Sequence, residues 1–189
     1  MREATLYRKL NQANRLQCDV CLWRCQVGPD RLGRCKVRLN RDGVLYTLAY
    51  GQVAAVHVDP IEKKPLFHFY PTSRVFSLGT WGCNYRCVHC QNWEIAYAEP
   101  KFHTSDQVSE WHVAGDHGAR GQFLPPDQAV EIALRHDCAG ICWTYNEPTV
   151  WFEYTLDCAK LAKERGLYTA YVTNGYITPE ALDLIGPYL

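Results

Sequence analysis

Val75-Phe76-Ser77-Leu78-Gly79-Thr80 is a short apolar run with strand character. It continues through Trp81-Gly82 directly into Cys83-Asn84-Tyr85-Arg86-Cys87-Val88-His89-Cys90. Further on, the chain alternates regularly. Residues 97–125 are polar and irregular, an unusually long loop by this reading. Pro126-Asp127-Gln128 then opens a helix, since proline suits the first helical position and Asp the first turn. Gly140-Ile141-Cys142-Trp143-Thr144-Tyr145 reads as a second strand. Pro148 opens a second helix that stops at Gly166, residues 167–173 read as a third strand, and Thr178-Pro179-Glu180 caps a third helix. Strands separated by helices long enough to cross over are parallel, so the expected fold class is α/β. Residues 84–189 suffice for about three strand–helix units of roughly 30 residues. A closed eight-unit barrel takes around 250 residues. The expectation is therefore a partial barrel, from a chain that looks truncated at its C-terminus.

Upstream, residues 1–72 read as a small cysteine-rich N-terminal module, and residues 73–189 as the first half of the barrel. A short helix is expected over residues 4–14, then an irregular stretch. Asn40-Arg41-Asp42-Gly43 signals a turn, and strands follow over 44–48 and 52–58, ended by Asp59-Pro60.

Composition narrows the function. The chain of 189 residues balances 20 Lys and Arg against 20 Asp and Glu, which argues against coating nucleic acid. Its hydrophobic fraction of 47% is enough for a sizeable core. The longest uncharged run, 44–58, contains Thr, Gln, Gly and His and is shorter than the roughly 18 apolar residues of a membrane span. The N-terminal MREATLYRKLNQANR has charge but no apolar stretch behind it, so it is not a secretory signal, and a cytoplasmic location is expected. In that reducing compartment 10 cysteines point to metal or redox work rather than disulfides.

The cysteines fall into groups. Cys83, Cys87 and Cys90 have C-x3-C-x2-C spacing. Three thiolates on one tight loop can hold three irons of a four-iron cube, leaving the fourth iron open to another ligand, because such a cube normally takes four thiolates. Gly82 adds no side chain beside it. A structural zinc knot is the other reading, but His89 sits too close to Cys87 and Cys90 to be a comfortable fourth ligand. Cys18, Cys21, Cys25 and Cys35 have plausible spacing for a tetrahedral zinc site. A second iron–sulfur cluster, or four reduced thiols packed in a small module, remain open alternatives. Cys138, Cys142 and Cys158 read as core fillers, Lys63-Lys64 as a solvated basic pair, and His103, His112 and His117 as surface residues.

The triplet resembles the signature of the radical S-adenosylmethionine superfamily. The resemblance implies that Cys83, Cys87 and Cys90 hold a [4Fe–4S] cluster whose open iron is chelated by S-adenosylmethionine. One electron then cleaves this cofactor to methionine and a 5′-deoxyadenosyl radical that abstracts hydrogen from a substrate. His89 holds the place of the residue beside the adenine. Glu147, in Thr144-Tyr145-Asn146-Glu147-Pro148, matches the residue that receives the methionine amino group, while as a helix-start Glu it also suits the dipole. Asn174, in Thr173-Asn174-Gly175, offers a hydrogen bond to cofactor or substrate, or marks an ordinary turn. The runs from Cys18 to Cys25, Gly33 to Arg38, Asp59 to Pro71, Cys90 to Ile95 and Val172 to Tyr176 further resemble the AmmeMemoRadiSam-system radical enzyme, a relative of pyruvate formate-lyase activating enzymes. That implies a one-electron reductant such as flavodoxin or ferredoxin, and Memo-like and AMMECR-like partners. The alternatives are an activating enzyme with a glycyl radical enzyme as partner, or an inactive iron–sulfur or zinc-binding fragment. Substrate and product are not implied.

Overall fold

The computed structural model describes residues 1–11, 14–101, 110–112 and 122–189. The chain opens with strands where a helix was expected: β1 (Arg2–Glu3) and β2 (Tyr7–Lys9). β1 is recruited by a partner far along the chain and β2 by the next strand, and in both the pairing overrides local propensity. β2 pairs antiparallel with β3 (Leu16–Cys18), which also pairs with β4 (Gln26–Val27). β5 (Arg38–Arg41) and β6 (Val44–Thr47) form a hairpin around Asp42-Gly43, and β1 adds to its outer side. Both turn residues have positive φ, the conformation a tight hairpin turn asks for. β7 (Gln52–Val53) and β8 (Ala55–Pro60) follow, close to the expected span.

β9 (Arg74–Gly79) then begins the alternating part. α1 (Trp93–Ala96) is a single turn. Part of the expected long loop is structured. β10 (Glu99–Lys101) pairs with β11 (Glu110–His112), and β12 (Gln122–Phe123) pairs with β7. His103 and His117 lie outside the described residues. Next come α2 (Pro126–Arg135), β13 (Gly140–Trp143), α3 (Phe152–Glu164) entered through a 3-10 turn at Pro148–Trp151, β14 (Tyr168–Tyr171) and α4 (Pro179–Ile185). Thr178 caps α4 by accepting from the Ala181 N–H at 3.2 Å.

Among the described residues the largest sheet has the order β14-β13-β9-β8. β9, β13 and β14 are parallel, as their helical crossovers require, and β8 lies antiparallel on the β9 side. The last strand of the first 72 residues is thus hydrogen-bonded into the sheet of the rest. The register sets Leu78 opposite Trp143 and Trp143 opposite Tyr171. All three parallel strands therefore end at one level, and the loops that follow them emerge side by side.

Side chains alternate across this sheet with period two. Phe76, Leu78, Ile141 and Trp143 enter the main core with Ala129, Val130, Ala133, Tyr154 and Cys158 of α2 and α3. Val75 and Cys142 face the other way and pack with Ile61, Leu66, Tyr168 and Ala170. Cys138, Cys142 and Cys158 are all buried, the core fillers they were expected to be. The same main core also takes Leu16, Val27, Val37, Leu39 and Leu45 from the N-terminal strands. No helix among the described residues is long and apolar enough to cross a membrane.

Lys63-Lys64 is not a solvated pair. Lys64 is buried, and its ammonium lies 2.7 Å from Oδ2 of buried Asp59, while Lys63 reaches Oδ1 at 2.9 Å. Burial alone raises a carboxyl pKa, but the hydrogen bonds from Lys63 and Lys64 outweigh it and hold Asp59 well below the aspartate range. A depressed carboxyl pKa contributes stability above the unfolded value of about 4, and that contribution is lost as pH falls below it. Asp59→Asn, which strands the buried Lys64 charge, is expected to cost about 3–5 kcal/mol at neutral pH. The difference from wild type should shrink in acid, where Asp59 itself becomes neutral. Urea denaturation at both pH values measures this, and a deficit independent of pH contradicts it.

Candidate functional site

The cysteine triplet hangs between the end of β9 and α1. At the strand end the Thr80 N–H donates to Asn146 Oδ1 at 3.1 Å, and Asn146 Nδ2 donates to the Gly82 carbonyl at 2.7 Å. Gly82 N–H reaches back to the Ile95 carbonyl at 2.9 Å. On the far side Arg86 donates to the Ala96 carbonyl at 2.8 Å, and the Tyr97 hydroxyl to the Cys87 carbonyl at 2.5 Å. The loop is thereby tied at both ends, with Cys83 and Cys90 half-buried and Cys87 exposed. His89 is exposed beside them.

Gly82 is required for a reason the sequence did not disclose. Its φ is +79°, and a Cβ there would stand 2.6 Å from the Cys35 carbonyl oxygen and 2.7 Å from Val37. What passes so close is the N-terminal cysteine loop.

The end of β13 supplies the second wall. Tyr145 has φ +73°, and the Asn146 N–H bonds the Thr144 carbonyl at 3.0 Å, closing a three-residue turn that side-chain-bearing residues rarely adopt. The strain is held in place from both ends. Asn92 Nδ2 donates to the Tyr145 carbonyl at 2.8 Å, and the Tyr145 hydroxyl lies 3.0 Å from His57 Nδ1 and 3.3 Å from Asp59 Oδ2. The turn aims Asn146 at the triplet loop and Glu147 at the end of β14.

Glu147 is 3% exposed, and its carboxylate gathers donors from two strand ends. Oε1 accepts from the Thr149 N–H and hydroxyl, at 3.0 and 2.6 Å, and from the Thr173 hydroxyl at 2.7 Å. Oε2 accepts from the Asn174 N–H at 2.8 Å. A carboxylate offers about four lone-pair sites, so Oε2, with its single donor, keeps room for another. Glu147 also caps the turn that starts α3, as a helix-start Glu would. Asn174 is a turn residue too: its Oδ1 accepts from the Tyr176 N–H at 3.0 Å, and its Nδ2 donates to Asn84 Oδ1 at 2.9 Å. Asn84 lies inside the triplet loop and is buried. Cys83, Glu147 and Asn174 are consequently joined through one polar web. Burial raises the Cys83 thiol pKa, the Tyr85 N–H at 3.5 Å from its sulfur lowers it, and the Glu147 charge raises it again.

Cys18, Cys21, Cys25 and Cys35 meet around one small cavity, which Asn84, Thr149 and Val150 also line. Burial pushes the Cys18 thiol up to about 11 and the Cys35 thiol up to about 12. Among the described residues no group of three or more His, Cys, Asp or Glu side chains is already arranged to hold a metal ion. For the triplet the fit to an iron–sulfur cube is therefore one of donor set and tethering: three thiols on a loop fixed at both ends, an N–H turned toward one sulfur, and a face open to solvent.

Residues 78–188 match the Radical SAM superfamily. The chain belongs to the radical SAM superfamily. That family typically uses a [4Fe–4S] cluster and S-adenosylmethionine, and the triplet of this radical SAM chain lies inside the matched span. The chain is also 43% identical over 185 residues to the uncharacterized protein MJ0808 of Methanocaldococcus jannaschii, across 98% of this chain and 50% of that protein. It spans about half the length of this curated relative.

Sequence reasoning brought forward Cys83, Cys87, Cys90, Glu147 and Asn174, and the fold sets them along one end of the parallel strands. It missed Asn84, Asn146 and Thr173, which make the connections. Each of the three lies in or beside a quoted motif, so motif adjacency was the available signal.

Proposed function

We propose that this chain is the S-adenosylmethionine-cleaving part of a radical enzyme of the AmmeMemoRadiSam type. Its three parallel strands open a partial (β/α) barrel, and residues 1–72 form a cysteine-rich module against it. The carrying observation is the hydrogen-bonded web from the triplet loop through Asn84 to Asn174 and Glu147, at the shared end of three parallel strands. Barrel enzymes build their sites at that end.

Cys83, Cys87 and Cys90 would hold the [4Fe–4S] cluster. When bound, the cluster supplies the electron that splits S-adenosylmethionine into methionine and a 5′-deoxyadenosyl radical. The remaining chemistry belongs to the chain. Glu147 Oε2 accepts a charge-assisted hydrogen bond from the methionine ammonium. Its other donors, Thr149 and Thr173, fix the carboxylate so that it does not turn away. Asn174 holds the end of β14 against the triplet loop, and exposed His89 offers its ring to the adenine. Asn146 keeps the triplet loop in register with Glu147. The electron comes from a flavodoxin- or ferredoxin-like donor in the cytoplasm, and Memo-like and AMMECR-like proteins are the partners that fit this type.

Anaerobic reconstitution with iron and sulfide, followed by dithionite and S-adenosylmethionine, is expected to yield 5′-deoxyadenosine and methionine in equal amounts. A reconstituted protein with full iron content that forms neither overturns the reading. The activating-enzyme alternative predicts instead a glycyl radical signal in a partner enzyme, seen by electron paramagnetic resonance.

A further inference from the structure

We propose that Cys18, Cys21, Cys25 and Cys35 bind one zinc ion, which locks the triplet loop to the end of the third parallel strand. This proposal does not depend on the radical reaction. The four cysteines come from two segments, around the turn after Cys21 and the turn before Cys35, and line a single cavity. Both turns are tight: Arg24 N–H closes on the Cys21 carbonyl at 3.0 Å, and Lys36 N–H on the Gly33 carbonyl at 2.9 Å. Arg24 and Lys36 adopt positive φ to make them.

A second, independent feature concerns the sulfurs themselves. Burial raises the thiol pKa of Cys18, Cys21 and Cys35, and the main-chain N–H of Val20, Trp23 and Val37 respectively works against that rise. In each case the donor lies two residues further along. Main-chain dipoles aimed at sulfur stabilise a thiolate rather than a packed thiol. The same offset recurs at Cys83, whose sulfur receives the Tyr85 N–H.

Size selects the ion. The cavity is about 20 Å³, and a site for one water-sized body needs roughly 10–15 Å³. That volume matches one metal ion more closely than a cube of four irons and four sulfides, which would have to spread the surrounding loops. Four thiolates are also the donor set of closed structural zinc sites. Binding replaces four S–H protons by four Zn–S bonds, releases four protons and leaves the site at net 2−. Arg34 and Arg38 line the same cavity and oppose that charge. The sulfurs surround the cavity without meeting at ligand distance of one point, so binding draws the half-buried Cys21 and Cys25 inward.

The contacts of this knuckle give the ion its role. Cys21 bridges Ile177, Leu22 N–H bonds the Tyr176 carbonyl at 3.2 Å, and the Thr178 hydroxyl bonds the Asp19 carbonyl at 2.7 Å. The Trp23 ring packs on Tyr85 of the triplet loop and on Tyr176, with centroids 5.9 and 5.5 Å away. The Cys35 carbonyl fills the space that Gly82 leaves open. An ion joining Cys21 to Cys35 therefore ties both flanks of the site together.

The test uses the full chain with Cys83→Ala, Cys87→Ala and Cys90→Ala combined, purified anaerobically. Elemental analysis is expected to find about one zinc per chain and no acid-labile sulfide. Adding Cys21→Ser and Cys25→Ser should remove that zinc. Iron with sulfide in the triple variant would mean a second cluster, and the absence of any metal would mean packed thiols; either overturns the proposal. Should the variants not fold, zinc-edge X-ray absorption on the wild-type protein decides. Four sulfur neighbours at about 2.3 Å support the site, whereas nitrogen or oxygen neighbours, or no bound zinc, refute it.

Discussion

Cys87→Ala is expected to reduce 5′-deoxyadenosine formation to background and to strip most iron from the anaerobic protein, while leaving the fold intact. Cys87 is exposed. An exposed substitution of this kind usually shifts stability by less than about 0.5 kcal/mol. Removing one of three thiolates, however, leaves two donors for a cube that ordinarily takes four. The informative control is Cys158→Ala. Cys158 is fully buried against α2 and the main core, so its truncation should lower the melting temperature but leave iron and activity in place. The two variants thus separate ligand from filler by opposite signatures. If Cys87→Ala retains a full iron complement and normal cleavage, the triplet is not the cluster site.

Local patterning announced the alternating part of the chain, because its signals are strong and do not compete. Pro126, Pro148 and Pro179 each sit at a helix start, and Thr178 caps as its side chain dictates. Strand β13 is apolar on both faces, as a strand covered on both sides must be. The N-terminal segment misled. Residues 4–14 mix charges with Leu and Tyr in a way that suits a helix, but β1 and β2 are defined by pairing with Thr47 and Tyr46 and with residues 16–18. Residues 4–14 alone encode neither the distant partner of β1 nor the strand at 16–18 on which β2 depends. The same applies to Lys64, which looks solvated beside Lys63 and Glu62. Its burial becomes visible only when Asp59 on β8 and Tyr145 beyond β13 converge on it. At the site, residue types with scarce chemistry, thiols and a carboxylate before proline, stood out from the sequence. Asparagines that join loops did not, because asparagine is common in turns for ordinary reasons.

The second large effect concerns the joint between the N-terminal strands and α3. Arg38 of β5 and Glu153 of α3 form an ion pair of 2.8 Å with side chains 2% and 1% exposed. Arg38 also donates to the Val150 carbonyl at 3.3 Å, and Glu153 Oε1 accepts the Thr5 N–H at 3.0 Å. Glu153 Oε2 has no hydrogen-bond partner among the described residues. Such a pair contributes little beyond what apolar packing would, since both charges were desolvated to make it, but each charge alone is costly. Arg38→Met or Glu153→Leu is therefore expected to lower stability by about 3–5 kcal/mol, a large share of the roughly 5–15 kcal/mol that holds a typical domain. The double variant, with neither charge left, should recover most of that loss. Urea denaturation of all four proteins forms the cycle. It should be run with a chelator present, because Arg38 also lines the cysteine cavity and bound metal would add its own stabilisation to some variants and not others. Additive losses in the double variant would show that the two side chains act separately, and that the joint between strands and helix is held by the apolar contacts around them.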